Sequence, residues 1–491
     1  MKTLVSNDAL TRMALCVCFL SALPIAQGAE PITITKTAQQ IQVPMSPERF
    51  DTGTSKTGSS AGAIQFGEFL GRRAVYLPSG LLTVKGANFR DGAVEADVAS
   101  KPGGLFIGIA FRIESEANLE MIYLRPGASD TIEAMQYTPR LNGDAIWQLL
   151  NTSHEKASVH IPDNQWIHMK IVVIGRTCKV FLNESKVPTL TVTNLRRGDS
   201  EGGVGLWSLG GGYFSNLSYT PLPDRKPLPD LPPFKRAGLL SDWELSPAFD
   251  AGDVDASTYP ASISQWEKVH AEDPGFVLVN RYRSSPAMFP MPSREEMRKG
   301  RVKGAKVVFA RTQISSVKGG EKILKIGYSD DIVVYLNRQP IFSGKNALSY
   351  RNDDSLGTFG LNDETHIHLN PGDNELLVAV TEYNGGWAFE CELSPVPRIV
   401  QPAAGQNRTE ARVKKWNHIK IVVSGRRMKV FVNDATSHTG GRQVRGGCDE
   451  RRLATAGAGH FRQHGDHSRC SGRSVSRADE RSAGRGLRPG P

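Results

Sequence analysis

Residues 166–184 read WIHMKIVVIGRTCKVFLNE, and this stretch decides the fold. The chain repeats it at residues 416–434 as WNHIKIVVSGRRMKVFVND, with twelve of nineteen positions identical. Each copy has two runs of β-branched and apolar residues on either side of a Gly-Arg pair, which is the pattern of a β-hairpin. The same hairpin is therefore predicted twice in one chain.

Length and composition indicate how much structure surrounds the hairpins. A chain of 491 residues is too long for one core and predicts two or three domains. Its 49 glycines and 29 prolines favour short strands joined by turns, and runs with helical periodicity are scarce. The predicted fold class is all-β.

The formal charge of +10 raises the question of a nucleic-acid partner. Residues 437–491 hold eleven arginines against five acidic residues, so most of the excess charge belongs to this segment. No nucleic-acid recognition motif accompanies it. We therefore predict no nucleic-acid partner for the folded part.

The N-terminus has the order of a secretory signal peptide. Lys2 and Arg12 precede an apolar run at residues 13–25, which is followed by small residues. The run is too short to span a membrane, so residues 1–28 are predicted to be removed on export, leaving no transmembrane span. The expected location is periplasmic, cell-surface or extracellular.

Cysteine usage does not indicate a disulfide framework. Two of the six cysteines lie in the predicted signal peptide, and Cys178 and Cys391 are the two in the predicted modules. Cys178 aligns with Met428 in the repeat. This substitution favours a small apolar core residue over a ligand or nucleophile.

Residues 29–219 contain a succession of strand-like runs separated by turn residues, which predicts an antiparallel sandwich. The segments appear in the order FRDGAVEADV, FIGIAFRIE, MIYLRPG, MQYTPRLNGDAIWQLL, the hairpin and GGVGLW. This order resembles the concanavalin A-like lectin/glucanase superfamily, and more narrowly laminin G-type domains and modules related to 3-keto-disaccharide hydrolases. The resemblance covers about residues 45–219 and implies a β-sandwich. It implies little about activity, because many functions occur on this fold.

A second module is expected after a linker. Residues 220–236 include six prolines, which favours an extended spacer. Residues 237–395 contain IGYSDDIVVYLNRQPIF and HLNPGDNELLVAVTEYNGGWAFECEL. These segments resemble galactose-binding-like jelly rolls, which accompany many carbohydrate-active enzymes.

The C-terminal part of the chain departs from this pattern. Residues 396–436 hold the second hairpin without the strands that surround the first, and one hairpin cannot bury a sandwich core. Residues 437–491 are rich in Arg and Gly, and they predict a disordered tail. A basic interaction tail and a shifted reading frame are the alternatives; the last predicts another frame encoding a Gly-rich return after residue 434.

Acidic residues on one predicted strand are the only catalytic candidates. Glycanases of the resembled superfamily place two or three carboxylates at alternate positions of a strand, so that they flank the scissile bond. Glu95 and Asp97 supply two, but the third position holds Ala99 or Ser100. A solvated strand face is the favoured interpretation.

A sugar-binding face needs aromatic rings and planar hydrogen-bond donors. Neighbouring predicted strands and one loop of the second module supply the candidates Arg112, Tyr123, Arg125, Gln136 and Trp387. Alternation places Tyr123 and Arg125 on one face. Trp207 is more typical of a core anchor, and Trp387 has the same alternative role in the jelly roll.

No metal site is predicted, although Ca²⁺ is possible. His168 recurs as His418 between apolar residues without a second ligand at metal spacing. Oxygen ligands for Ca²⁺ are present at Ser329-Asp330-Asp331 and at Asp353-Asp354, and acidic turns without metal are the commoner case. Nucleotide-binding, serine-hydrolase and zinc-protease motifs are absent from the sequence.

Three functions are compatible with these observations. The preferred one is an exported protein that binds glycans non-covalently through its β-sandwich modules. A sugar-active hydrolase or lyase of the 3-keto-disaccharide hydrolase-like type is the first alternative, with Glu95 and Asp97 as its acids. An extracellular protein-binding or adhesive module is the second.

Overall fold

Two β-sandwich modules follow one another along the chain. The computed structural model describes residues 38–52, 63–223, 226–285, 292–300 and 302–396, and the backbone of residues 419–424 and 427–432. The strands of the first module are β1 (Ile41–Gln42), β2 (Phe50–Thr52), β3 (Gln65–Phe69), β4 (Arg72–Val84), β5 (Gly92–Ser100), β6 (Phe106–Ser115), β7 (Asn118–Leu124), β8 (Met135–Tyr137), β9 (Arg140–Leu141), β10 (Asp144–Ala145), β11 (Lys156–Ala157), β12 (Ile167–Ile174), β13 (Thr177–Leu182), β14 (Leu190–Val192) and β15 (Gly203–Pro221).

The long strands β4 and β15 join the two layers of the first module. The N-terminal half of β15 pairs with β6, and its C-terminal half pairs with β5, while β4 runs beside both halves. The register of β15 shifts between Leu209 and Gly212, where Gly210 and Gly211 have φ of 82° and 95°. Only glycine adopts such angles without strain. The two glycines therefore allow a bulge, which bends β15 so that its two halves pair in different sheets.

Strand alternation fills the space between the layers. Ile167, Met169 and Ile171 of β12 are buried, whereas His168 and Lys170 between them lie on the outer face. Hydrogen-bonded pairs from Met169↔Leu182 to Ile174↔Thr177 join β12 to β13, which confirms the first predicted hairpin. Cys178 is fully buried in the same core, as its alignment with methionine predicts.

The second module is a sandwich of two further sheets. Its strands are β16 (Asp242–Leu245), β17 (Phe249–Asp250), β18 (Glu267–His270), β19 (Val277–Leu278), β20 (Lys306–Ser316), β21 (Gly320–Ser329), β22 (Asp331–Leu336), β23 (Gln339–Lys345), β24 (Asp363–Leu369), β25 (Gly372–Glu382) and β26 (Ala388–Pro395). One sheet has the order β18-β16-β20-β25-β22-β23, and the other has the order β19-β26-β21-β24. The predicted fold class, two all-β modules of sandwich and jelly-roll type, is confirmed.

Helical structure is short in the described residues. One α-helix, α1 (Arg294–Lys299), begins at a capping box of Ser293 and Glu296 and ends at Gly300. The 3-10 helices are Pro47–Arg49, Pro126–Ala128 and Val279–Arg281. A helix long and apolar enough to cross a membrane does not occur in the part of the chain that the structure describes.

The two sandwich modules contact each other directly. Phe276, Leu278 and Ala388 of the second module pack into the core of the first. Backbone hydrogen bonds also cross the boundary: Gln148 N–H donates to Gly385 O at 2.9 Å, and Phe359 N–H donates to Gln148 O at 2.9 Å. We call this boundary the seam.

The second copy of the hairpin is formed by β27 (Ile419–Ser424) and β28 (Arg427–Val432). Pairs from Ile419↔Val432 to Ser424↔Arg427 confirm the antiparallel pairing that the repeat predicts. It belongs to a second unit of the chain, Arg398–Pro491. The predicted signal peptide and the Arg-rich tail lie outside the described residues.

Candidate functional site

Charged side chains gather on the outer face of the sheet that contains β5, β12 and the second half of β15. Because β5 and β12 pair in register His168↔Asp97 and Lys170↔Glu95, alternate residues of both strands emerge side by side. His168 Nδ1 lies 2.9 Å from Asp97 Oδ1, and His168 Nε2 lies 3.4 Å from Glu95 Oε2. The imidazole thus contacts both Glu95 and Asp97, the two carboxylates that the sequence gives as catalytic candidates.

Three further side chains complete this network. Lys170 Nζ lies 2.7 Å from Glu95 Oε1, and Asn216 Nδ2 donates a hydrogen bond to Asp97 Oδ2 at 2.6 Å. Arg72 forms an ion pair with the same Asp97 oxygen through Nη1. Every carboxylate in the network therefore has at least two partners.

The network holds its charges firmly at neutral pH. The hydrogen bonds that His168 donates to Asp97 and then to Glu95 raise its pKa from 6.5 to about 9. The hydrogen bond from His168 is the main cause that lowers the pKa of Glu95. Burial acts to raise the pKa of Asp97, but His168, Asn216 and Arg72 outweigh it and lower that pKa. Two carboxylates and an imidazolium result.

Four partly exposed rings border the charged network, and we call them the aromatic row: Tyr76, Tyr213, Phe69 and Trp166. The ring centroids of Phe69 and Tyr213 lie 3.6 Å apart with the planes 2° from parallel. Tyr76 lies 4.9 Å from Tyr213, and Trp166 lies 5.7 Å from Phe69. The row comes from four strand or loop segments, so the sheet pairing has to form before the rings meet.

Cations flank both ends of the row. The guanidinium carbon of Arg72 lies 5.5 Å from the Trp166 ring, and its side chain is 42% exposed. At the other end Lys101 Nζ lies 5.1 Å from the Tyr76 ring and donates to its hydroxyl at 2.7 Å. This face therefore combines partly exposed rings with the partly exposed donors Arg72, His168 and Lys170.

Arg112, a sequence-predicted sugar contact, is fully buried. Its guanidinium lies 3.1 Å from Asp91 and donates to the carbonyl oxygens of Arg90, Gly198 and Gly175. The register of β6 with β15 shifts around Arg112, whose φ is 51°. This bulge turns the side chain inward and places it away from any surface ligand.

Tyr123, Arg125 and Gln136 meet on the outer face of the other sheet. Tyr123 donates to Gln136 Oε1 at 2.8 Å, and Arg125 Nη2 lies 3.5 Å from the Tyr123 hydroxyl. Tyr123 and Gln136 are buried, and Arg125 is 18% exposed. Alternation therefore predicts the shared face of Tyr123 and Arg125, but not its burial by the packed rings of Phe106 and Trp207.

Trp387 is buried in the core of the second module. Its indole N–H donates to Val380 O at 3.1 Å, and its backbone N–H donates to Asn280 Oδ1 at 2.6 Å. The side chain fills the jelly roll, which was the alternative to a sugar contact. The neighbouring Gly385 and Gly386 lie against the first module rather than in an open loop.

The acidic turns do not fit a Ca²⁺ ion. Asp330 Oδ2 accepts hydrogen bonds from the backbone N–H groups of Tyr383 and Asn384, and Asp353 forms an ion pair with Arg298. In the described ranges, no group of three or more His, Cys, Asp or Glu residues is arranged to hold a metal ion. Asp330 and Asp353 thus use carboxylate oxygens for internal contacts.

A cleft of about 880 Å³ lies between the Pro-rich linker and both modules. Its arginines are engaged with the protein: Arg176 donates to Pro229 O at 2.8 Å, and Arg281 makes two hydrogen bonds to Glu272. Arg197 pairs with Glu114 in the same way. The cleft therefore offers fewer available donors than its composition suggests.

Comparison with known proteins agrees with the resemblance of the first module. Residues 52–218, about a third of the chain, match the model of the 3-keto-alpha-glucoside-1,2-lyase-like domain family. A search of curated protein sequences gives no match. The galactose-binding-like assignment of the second module stays a prediction.

Similar solved structures carry names related to sugars. A carbohydrate-binding module, CBM66 from Bacillus subtilis, is 16% identical with a TM-score of 0.27, covering 32% of this chain and 92% of that one. A putative glycosyl hydrolase from Parabacteroides distasonis is 13% identical with a TM-score of 0.26, covering 38% and 100%. The galectin LEC-6 from Caenorhabditis elegans is 12% identical with a TM-score of 0.22, covering 33% and 98%. Scores this low do not establish a common activity.

Sequence reasoning missed the aromatic row and Arg72. Phe69, Tyr76 and Tyr213 are distant or irregular in the sequence, and they meet only because β3 pairs with β4 and β4 pairs with β15. Trp166 carried one available signal, since the repeat preserves it as Trp416. His168 was noted as a repeated residue, but its contacts with Glu95 and Asp97 depend on the register of β12.

Proposed function

We propose that this protein binds glycans non-covalently on the face formed by the aromatic row and the network around Asp97. One observation carries the proposal: four partly exposed rings lie beside side chains that donate and accept hydrogen bonds. The apolar face of a pyranose packs on aromatic rings, and its hydroxyls need such polar partners.

The charge state of the network favours binding over glycoside hydrolysis. A two-carboxylate hydrolase needs one carboxyl that is protonated at its working pH, which requires a raised pKa. The pKa values of Glu95 and Asp97 are both lowered, with His168 as a shared hydrogen-bond partner. These ionised carboxylates hold Arg72, His168 and Lys170, whose partly exposed side chains can donate hydrogen bonds to sugar hydroxyls.

A sugar-active lyase or hydrolase is the second candidate, supported by the family match at residues 52–218. In that case His168 would be the proton donor, because it is the group of the network that carries an acidic proton at neutral pH. Product release from a sugar substrate separates this candidate from a binding protein.

Export completes the proposed function. The order of charged, apolar and small residues within residues 1–28 supports it. Binding would then take place in the periplasm, at the cell surface or outside the cell. Fractionation of cells that express the full chain tests this, and retention of residues 1–28 in a cytoplasmic product would contradict it.

Affinity electrophoresis through gels that contain a panel of polysaccharides tests the binding proposal, with reducing-sugar release assayed on the same samples. We expect retardation by at least one polysaccharide, no release, and loss of retardation in Arg72→Ala/Trp166→Ala. The matched comparison is Tyr123→Phe/Arg125→Ala, which removes the hydroxyl and the guanidinium of the other predicted site and keeps its ring. If only that second variant loses retardation, the glycan binds on the opposite face. Release of reducing sugar would show that the protein is an enzyme.

A further inference from the structure

The glycan-binding face has more positive than negative groups. Its cations are Arg72, Lys101, His168 and Lys170, and its carboxylates are Glu95 and Asp97. Lys101 has a tyrosine hydroxyl rather than a carboxylate as its hydrogen-bond partner. The four cations exceed the two carboxylates by two charges: Arg72 shares Asp97 with His168, and Lys101 has no carboxylate partner in this network.

The position of these charges matters as much as their number. Lys101 and Arg72 lie at opposite ends of the aromatic row, each within about 6 Å of a ring. We infer that the row takes an acidic glycan, with oxyanion groups placed on Arg72 and Lys101; this inference rests on the proposed function. Carboxylate and sulfate groups share this chemistry.

A comparison of charged and neutral polymers of similar backbone tests this inference. Polygalacturonate, sulfated galactan and neutral galactan are titrated into the full chain and into Arg72→Ala/Lys101→Ala. The control is Lys268→Ala/Lys318→Ala, which removes two exposed lysines of the second module. We expect either acidic polymer to bind about tenfold or more tightly than galactan, with the difference lost in the first variant only.

The outcomes are distinguishable. The better of the two acidic polymers identifies carboxylate or sulfate as the source of the oxyanion. Equal binding of galactan would overturn the inference and leave the proposed function intact. An equal loss in the control would also overturn it, since it would assign the effect to net charge. Failure of every polymer to bind would count against the proposed function as well.

Buried carboxyl groups at the seam carry an independent inference. Asp144 of the first module lies against Asp330 and Glu382 of the second, and all three are 0–1% exposed. Among the described residues, none of these three carboxyls forms an ion pair with a basic side chain. Three like charges cannot share such a volume, so they have to hold protons.

Hydrogen bonds satisfy only part of this cluster. Asp330 accepts from two backbone N–H groups, Glu382 Oε1 accepts from Gly386 N–H at 3.1 Å, and Asp144 Oδ2 lies 3.4 Å from Asn280 Nδ2. Asp144 Oδ1 and Glu382 Oε2 are buried without a partner. A proton on either carboxyl would supply a donor to the other side of the seam.

The surroundings offer little charge to compensate ionisation. Asp331 and Tyr383 face Asp330, and Lys345 lies 3.4 Å from Asp331. Arg140 of the first module interacts electrostatically with Asp144 but does not contact it directly. The basic groups of the neighbouring elements therefore do not contact the three buried carboxyls directly.

We propose that protonation of Asp144, Asp330 and Glu382 controls docking of the two modules. The modules stay docked while the three carboxyls are protonated, and the contact between the modules weakens when the carboxyls ionise. Burial raises the pKa of all three, that of Asp330 from 3.8 to about 8. A docked state with raised acid pKa values binds more protons than the separated state. Its stability therefore falls as pH rises from about 4 through the raised pKa values of these groups, of which that of Asp330 is about 8.

Hydrogen exchange at the seam tests this proposal. Deuterium uptake by residues 142–151, relative to the core segment 167–174, is measured on the full chain from about pH 5 to about pH 9. Dividing the uptake of the seam segment by that of the core segment cancels the intrinsic pH dependence of amide exchange. We expect seam protection to fall with pH in the wild type, to fall less steeply in Asp144→Asn/Glu382→Gln, where Asp330 still titrates, and to shift its midpoint in Glu382→Gln.

A constant wild-type ratio across this range would overturn the proposal without any variant. The same pH dependence in wild type and Glu382→Gln would also overturn it. If the double variant loses protection at every pH, the single variant and the wild-type titration still decide the question.

Discussion

His168 Nδ1 lies 2.9 Å from Asp97 Oδ1, and this contact joins the side chains of the paired strands β12 and β5. Because of this contact, His168 carries a positive charge at neutral pH. The aromatic row and the ionised carboxylates then form one polar and aromatic face.

The first prediction concerns the pH dependence of this contact. The pKa of His168 is raised from 6.5 to about 9, so its stabilisation is fully present below about 6.5 and is lost as pH rises through about 9. We expect His168→Gln to lower the free energy of unfolding by up to about 1 kcal/mol at pH 6, and by less at pH 10, since the pair is partly exposed.

Urea unfolding of both proteins at the two pH values measures this difference. The control is His154→Gln, which alters an exposed histidine elsewhere in the same module. Equal losses from His168→Gln at both pH values would contradict the assigned ion pair.

The second prediction separates Arg112 from a binding role. Arg112→Met removes a buried cation from Asp91 and takes one donor away from each of three carbonyl oxygens. We expect a loss of about 3–5 kcal/mol in stability. Arg125→Met, at a partly exposed ion pair, should cost about 1 kcal/mol or less. Thermal unfolding measures both, and a wild-type melting temperature in Arg112→Met would rule out the structural role.

The third prediction uses two glycines with positive φ. A Cβ at Gly386, φ 122°, would lie 2.7 Å from Leu149 Cγ and 3.0 Å from Ile146 Cα across the seam. Gly372, φ 93°, has open space around it. We expect Gly372→Ala to cost about 1–2 kcal/mol through backbone strain alone, and Gly386→Ala to cost about 1–3 kcal/mol more through overpacking.

Denaturant unfolding compares these two variants directly. Equal costs would mean that the modules do not pack against each other at Gly386.

The fourth prediction contrasts two tryptophans. Trp207 is 3% exposed and contacts Tyr123 and Phe106, so Trp207→Ala should destabilise the protein by about 3–5 kcal/mol. Trp166 is partly exposed, and Trp166→Ala should weaken glycan binding with a smaller loss of stability. Calorimetric melting and a binding titration on both variants check this, and the reverse assignment of effects would refute the chosen face.

The β-hairpin and the core positions could be predicted because strand alternation is a local property. Ile167, Met169 and Ile171 follow the period of two, and Cys178 could be recognised from its aligned methionine. Alternation does not describe Arg112, because a bulge reverses the direction of its side chain. Bulges depend on pairing between distant strands, which the local pattern does not contain.

The candidate site was only partly predictable for a related reason. Glu95 and Asp97 could be found as a carboxylate pair on one strand. Their partners His168, Asn216 and Arg72 come from three other strands, and the register of those strands decides which side chains meet. Trp387 shows the converse, since a Gly-flanked tryptophan that is typical of a binding loop fills a core here.

The most direct test of the central claim is isothermal titration calorimetry with the polysaccharide that retards the protein most. Wild type is compared with Phe69→Ala/Trp166→Ala, and the sugar is analysed for cleavage after each titration. We predict saturable binding by wild type, loss of the binding heat in the double variant with its cooperative melting transition retained, and intact polysaccharide throughout. Unchanged binding in the double variant, or a cleaved sugar, would contradict the account.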